Sequence, residues 1–178
     1  MRDNIALIGF MGVGKTAISQ SLASKLGKKF VELDLLIERK AGKSIPEVFQ
    51  QDGEISFREL EISVTKEIAD KKNLVIACGG GLVLNKINID RLKKESIIVY
   101  LIASPSIIAK RVLREVGRRP LLEVEDPTQT IRELLRFRRP FYERAADIAI
   151  NTSKLNVDSV AKKIIEKLRE YESFNFQK

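Results

Sequence analysis

Five short runs of apolar and β-branched residues recur along the chain, at residues 4–8, 30–33, 74–78, 97–102 and 147–150. Longer stretches with apolar residues at helical spacing separate them. That alternation predicts parallel strands joined by crossover helices, an α/β fold built on a five-stranded parallel sheet flanked by helices. The runs are continuous, not alternating, which predicts helices on both faces of the sheet. Helix boundaries are also legible. Ser44-Ile45-Pro46-Glu47 and Ser104-Pro105 read as caps followed by proline in the first turn, and Gly27 and Gly42 stand where helices should stop. The last helix is expected from residue 157 to 171, with Val160, Ile164, Leu168 and Tyr171 on one stripe. Residues 117–128, rich in Arg, Pro and acids, read as a long mobile surface loop.

Composition narrows the chemistry. A chain of 178 residues, 44% hydrophobic and 31% charged, fits one domain with one core. No run of about eighteen apolar residues occurs, and Met1-Arg2-Asp3-Asn4 leads straight into a strand, so neither a membrane span nor a secretory signal is expected. The expected location is the cytoplasm. Cys78 is the only cysteine and there is no histidine. An intrachain disulfide, Cys–His dyads and imidazole metal sites are thereby excluded. Catalysis must run on carboxylates, Lys, Arg, hydroxyls and a hard metal ion.

The segment Gly9-Phe10-Met11-Gly12-Val13-Gly14-Lys15-Thr16 follows the first apolar run and leads into a helical stretch. It matches the G-x-x-x-x-G-K-[ST] phosphate loop in the strand–turn–helix context that gives the match its meaning. Glycines let successive N–H groups of Gly12 to Ala17 point inward, and the helix N-terminus adds partial positive charge. Lys15 supplies a mobile ammonium between β- and γ-phosphates, and the Thr16 hydroxyl suits Mg²⁺. The expected ligand is a nucleoside triphosphate.

GTPases and motor ATPases carry an acid at the end of an apolar strand, whereas here Val75-Ile76-Ala77-Cys78 runs into Gly79-Gly80-Gly81. The acids stand in Phe30-Val31-Glu32-Leu33-Asp34, where strand alternation would put Glu32 and Asp34 on one side at the carboxyl edge of the sheet. The phosphate loop, FVELDLLIERKAGKSIPEVFQQDGEISFRELE, CGGG, RRPLL and RFRRPFYERAADIAI together resemble the shikimate kinase family, in order and spacing, over nearly the whole chain.

The resemblance implies a nucleoside-monophosphate-kinase-like P-loop kinase fold in one domain spanning 1–178. It would have acceptor-binding helices at about 34–62 and a lid loop at about 112–128. It implies transfer of the γ-phosphoryl of MgATP to the 3-hydroxyl of shikimate, in aromatic amino-acid biosynthesis. Shikimate, a small anionic triol, would be met by Asp34, Arg58, Arg138 and Gly79 to Gly81. A guanidinium binds a carboxylate in bidentate fashion that lysine cannot copy; the bland alternative for Arg58 is a helix charge paired with Glu61 or Glu54. The R-x-P-x-Y spacing selects Arg138 over Arg139 and Arg136. The R-P-L-L match makes Arg119 the lid residue that swings over both substrates, with Gly117 aiding the hinge. Arg111 is the candidate to stack on adenine, with Arg114 as rival, and the turn at 151–157 would complete the base pocket. Glu32 departs from the family's usual Asp, and would meet Mg²⁺ through water.

The formal net charge of +8 asks for anionic partners, and two anionic substrates answer that. Rival readings are a gluconate- or nucleoside-monophosphate-type kinase, a catalytically dead nucleotide-binding regulator, and a nucleic-acid binder. The last lacks tryptophan and any stretch interleaving aromatics with basic residues. No heptads or large apolar stripe ask for a partner chain, so a monomer is expected.

Overall fold

A computed structural model describes residues 1–112, 126–171 and 174. Five parallel strands, β1 (Asn4–Ile8), β2 (Lys29–Glu32), β3 (Leu74–Ala77), β4 (Ser96–Ile102) and β5 (Ile148–Asn151), form one sheet in the order β2-β3-β1-β4-β5. Eight α-helices occur among the described residues: α1 (Lys15–Leu26), α2 (Leu33–Ala41), α3 (Ile45–Gln51), α4 (Gly53–Ala69), α5 (Lys86–Glu95), α6 (Pro105–Val112), α7 (Pro127–Ala145) and α8 (Val157–Arg169). A 3₁₀ turn, Leu82–Leu84, follows β3.

Two apolar clusters sandwich the sheet. Ile5, Leu7, Val75, Val99 and Leu101 face α1 and α8 through Ile18, Leu22, Ile164 and Leu168. Ala6, Ile8, Ile76, Ile98 and Tyr100 face the other way, toward Leu33, Ile37, Val64, Leu92 and Tyr142. Covering both faces explains why β1 and β3 are buried at every position. The edge strands break that expectation. β2 is only half-buried, and β5 alternates buried Ile148 and Ile150 with exposed Ala149 and Asn151.

The expected strand at 30–33 also needs correction. β2 ends at Glu32, and Leu33 opens α2, so Asp34 occupies the first turn of a helix. Leu33 and Ile37 are buried one helical turn apart, Gly42 caps the helix in the left-handed conformation, and an acid in the first turn suits the helix dipole. Glu32 and Asp34 therefore share a side because a strand end passes into a helix start, not by strand alternation.

Ser44 forms a capping box with Glu47 at the start of α3, as its spacing predicts. The final helix stops at Arg169, with Val160, Ile164 and Leu168 buried and Tyr171 beyond its end. The expected loop at 117–128 and lid at 112–128 are too long at their edges. Val112 still belongs to α6, while Asp126 caps α7 through the Gln129 N–H at 2.9 Å, with Pro127 in its first turn. Residues 113–125 lie outside the described residues, and with them Arg114, Gly117 and Arg119.

Candidate active site

The turn between β1 and α1 follows from its glycines. Gly9, Gly12 and Gly14 have φ of 146°, 75° and 98°, a region that side chains disfavour. A Cβ on Gly9 would also stand 2.6 Å from the Leu101 carbonyl oxygen. The loop opens on a cleft of 640 Å³ lined by Met11 to Ile18, Glu32, Asp34, Cys78, Gly80, Arg111 and the segment around Thr152 and Leu155. Lys15 donates to the carbonyls of Gly9 and Phe10 at 2.9 and 3.0 Å. Its ammonium thus rests against the loop it would serve.

Glu32 enters the same cleft from the end of β2. Burial raises its carboxyl, while the Thr16 hydroxyl it accepts and the Lys15 charge pull the other way. One of its oxygens, Oε2, is buried without a hydrogen-bond partner. Arg111 reaches the loop from α6, donating to the Gly12 carbonyl at 3.1 Å. Asn151 ends β5, and Thr152 and Leu155 just beyond it line the same cleft as Arg111.

Across from the loop, Gly79, Gly80 and Gly81 form a strip without side chains. A Cβ on Gly79 would lie 3.0 Å from Asp34 Oδ1 and 3.3 Å from Glu61 Oε1. On Gly80 it would stand 3.5 Å from the Met11 N–H nitrogen and 3.9 Å from Arg138 Nη1, and on Gly81 2.6 Å from Arg58 Nη2. Asp34, Glu61, Arg58 and Arg138 thus converge on one strip from α2, α4 and α7.

Arg58 pairs with Glu61 at 3.1 Å and with Glu54 at 3.0 Å. Both bland partners expected from sequence are therefore present, yet the guanidinium still reaches Gly81. Glu61 is 1% exposed. Burial raises its carboxyl, countered by Arg58 and less by Arg138. From sequence Glu61 stands out only as a possible partner of Arg58. Its signal was position: with Phe57, Val64, Thr65 and Ile68 it belongs to the buried stripe of α4, where an unpaired acid has no place.

The three candidate arginines of α7, Arg136, Arg138 and Arg139, separate cleanly. Arg138 is 4% exposed, beside Gly80 and over the Phe10 ring, and its Nε is buried without a hydrogen-bond partner. Arg139 points outward to Glu143, and Arg136 is exposed. Tyr142, one turn on and the tyrosine of the R-x-P-x-Y spacing, donates its hydroxyl to the Gly80 carbonyl, a contact that the spacing does not foretell. Cys78 is fully buried, and burial pushes its thiol far up, so it is no nucleophile.

A phosphate loop at the carboxyl edge of a parallel sheet, with a carboxylate and two guanidinium groups facing it, defines a phosphate-loop kinase with ATP as co-substrate and a small-molecule acceptor. A family model described as "Shikimate kinase" matches residues 11–169. A shikimate kinase of Thermodesulfovibrio yellowstonii is 48% identical over 169 residues, 95% of either chain. That of Caldanaerobacter subterraneus is 44% identical over 162 residues, 91% of this chain and 94% of its own. A solved shikimate kinase from Acinetobacter baumannii, in complex with shikimate, superposes with a TM-score of 0.92 at 38% identity, covering 97% of this chain and 96% of its own. The chain belongs to the shikimate kinase family.

Proposed function

We propose that this chain transfers the γ-phosphoryl of MgATP to the 3-hydroxyl of shikimate, as a single domain acting as a cytoplasmic monomer. The observation that carries the reading is the convergence of Asp34, Arg58 and Arg138 on the glycine strip, opposite the phosphate loop. A small carboxylated polyol is the acceptor such a set suits. Two guanidinium groups pin its carboxylate, the carboxylate of Asp34 accepts from its hydroxyl, and strip N–H groups approach its ring unobstructed. No helix among the described residues is long and apolar enough to cross a membrane.

In this reading Gly12 to Ala17 cradle the β- and γ-phosphates by their N–H groups, and Lys15 leaves the Gly9 and Phe10 carbonyls to follow the transferring group. Arg111 covers the adenine. Asp34 orients the attacking hydroxyl, since orientation and charge neutralisation outweigh proton abstraction in a loose phosphoryl-transfer transition state. Arg119 closes over the phosphoryl oxygens and keeps water out, limiting idle hydrolysis.

The residues fit Mg²⁺. The Thr16 hydroxyl and the orphaned Glu32 oxygen are hard donors at the mouth of the loop, and the longer Glu32 side chain is tolerated where water intervenes. When bound, the ion neutralises charge on the β- and γ-phosphate oxygens.

Coupled release of ADP with a panel of acceptors tests the reading. Turnover is expected with shikimate and little with gluconate, AMP or CMP. Turnover of gluconate or a nucleotide alone would overturn it.

A further inference from the structure

The acceptor strip has little stiffness of its own. Gly79, Gly80 and Gly81 lie between β3 and the 3₁₀ turn, and glycine samples more backbone than any other residue. Something outside the strip must select its conformation. Its ends are fastened by backbone bonds. Cys78 N–H donates to the Leu7 carbonyl at 3.0 Å, Leu82 N–H to that of Gly79 at 3.2 Å, and Leu84 N–H to that of Gly81 at 3.0 Å. The middle carbonyl, that of Gly80, is taken by a side chain, the hydroxyl of Tyr142.

Tyr142 is built to hold that position. It is fully buried, and its ring stacks on Tyr100 of β4 at 5.0 Å between centroids. Burial pushes its phenol far up against the charge of Arg138, the hydrogen bond that guanidinium gives the hydroxyl, and the charge of Arg58, so the hydroxyl stays a donor at any working pH. It follows Arg138 by one helical turn on α7, which puts phenol and guanidinium on one face. Gly80 in turn sits between Arg138 and the Met11 N–H of the phosphate loop. The strip's central peptide is thus the place where the two halves of the cleft meet.

We propose that Tyr142 is a positioning residue for the phosphoryl acceptor: its hydroxyl, by holding the Gly80 carbonyl, fixes the Gly80–Gly81 peptide against Arg138 and the phosphate loop. The physical link is short. A trans peptide is planar, so a carbonyl tied toward α7 directs the Gly81 N–H the opposite way. The phosphate loop does not share this dependence, since its shape comes from its own glycines and the start of α1. The inference rests on the acceptor reading above.

The test is Tyr142→Phe, which keeps the ring and its stack but removes the hydroxyl's bonds to the Gly80 carbonyl and to Arg138, so exchange at the strip, read beside KM, separates the strip from a loss confined to Arg138. The expected result is a rise of about ten-fold in KM for shikimate with KM for ATP within about two-fold. Amide exchange should quicken at 79–84 and stay unchanged in β1 and α1. Tyr100→Phe, which preserves the hydroxyl of Tyr142, should leave all three readings as they were. An unchanged KM for shikimate in Tyr142→Phe would overturn the proposal. So would a parallel rise in both KM values with faster exchange through β1, the mark of a general loss of structure. If the wild-type chain phosphorylates shikimate and Tyr142→Phe behaves identically, this inference alone fails; if the wild-type chain leaves shikimate untouched, the acceptor reading fails and takes the inference with it.

Discussion

The phosphate loop and the acceptor strip are both written in glycine, for opposite reasons. In the loop, Gly9, Gly12 and Gly14 have positive φ, so the backbone itself requires them. In the strip, Gly79, Gly80 and Gly81 are absent from the positive-φ residues. Gly79 and Gly81 are small because Asp34, Glu61 and Arg58 crowd the space a Cβ would take, whereas a Cβ on Gly80 would make only ordinary contacts, that with Arg138 among them. One half of the cleft is a backbone device, read by main-chain N–H groups. The other is a side-chain device, assembled from three helices distant in sequence.

That contrast can be broken experimentally. The largest effect is expected from Lys15→Ala, which removes the loop's only side-chain charge at the transferring group. It should lower kcat by about 10³-fold while shikimate binding survives, measured by steady-state rates and by equilibrium titration of the acceptor. A loss of shikimate affinity of similar size would mean the halves are not separable.

A pair of glycine substitutions sharpens the point. Gly12→Ala forces a side chain onto φ 75° and to 2.7 Å from Val112 Cγ2. Strain of about 1–3 kcal/mol should raise KM for ATP by about ten-fold. Gly81→Ala meets only the flexible end of Arg58, so the guanidinium yields and KM for shikimate rises by about five-fold, with ATP unaffected. The reverse assignment of the two defects would refute the distinction.

The smallest effect concerns stability. Burial, resisted by Arg58 and Arg138 and reinforced by Asp34, raises the Glu61 carboxyl above its ordinary 4.5. The folded chain then holds a proton there that the unfolded chain has released, so this group's contribution falls as pH climbs from about 4.5 through the raised value. Glu61→Gln should therefore gain stability relative to the wild type as pH rises across that window, followed by denaturant midpoints. A difference that stays flat or shrinks with pH would contradict the assignment.

How legible these halves are in sequence follows from the same contrast. Eight contiguous residues carry the loop, so a motif and its strand–turn–helix context sufficed. The sheet was legible through β1, β3 and β4, whose central burial leaves unbroken apolar runs. The end of β2 was not, because Phe30 to Ile37, apolar except for Glu32 and Asp34, crosses from strand to helix without a break in its apolar positions. Only tertiary packing of Leu33 and Ile37 says where one period yields to the other. The acceptor half was visible through family spacing, which put forward Asp34, Arg58 and Arg138. Glu61 stood out only as a partner for Arg58, and Tyr142 only as a letter of that spacing, because what sets them apart, burial beside the strip in one case and a bond to a backbone carbonyl in the other, is tertiary.

The division of labour is tested most directly by titrating shikimate and ATP separately into Arg138→Lys and the wild type. Lysine keeps the charge but loses the planar fork. The account predicts that shikimate affinity falls by at least about ten-fold while ATP affinity stays within about two-fold. Unchanged shikimate affinity, or an equal fall for both ligands, would contradict it.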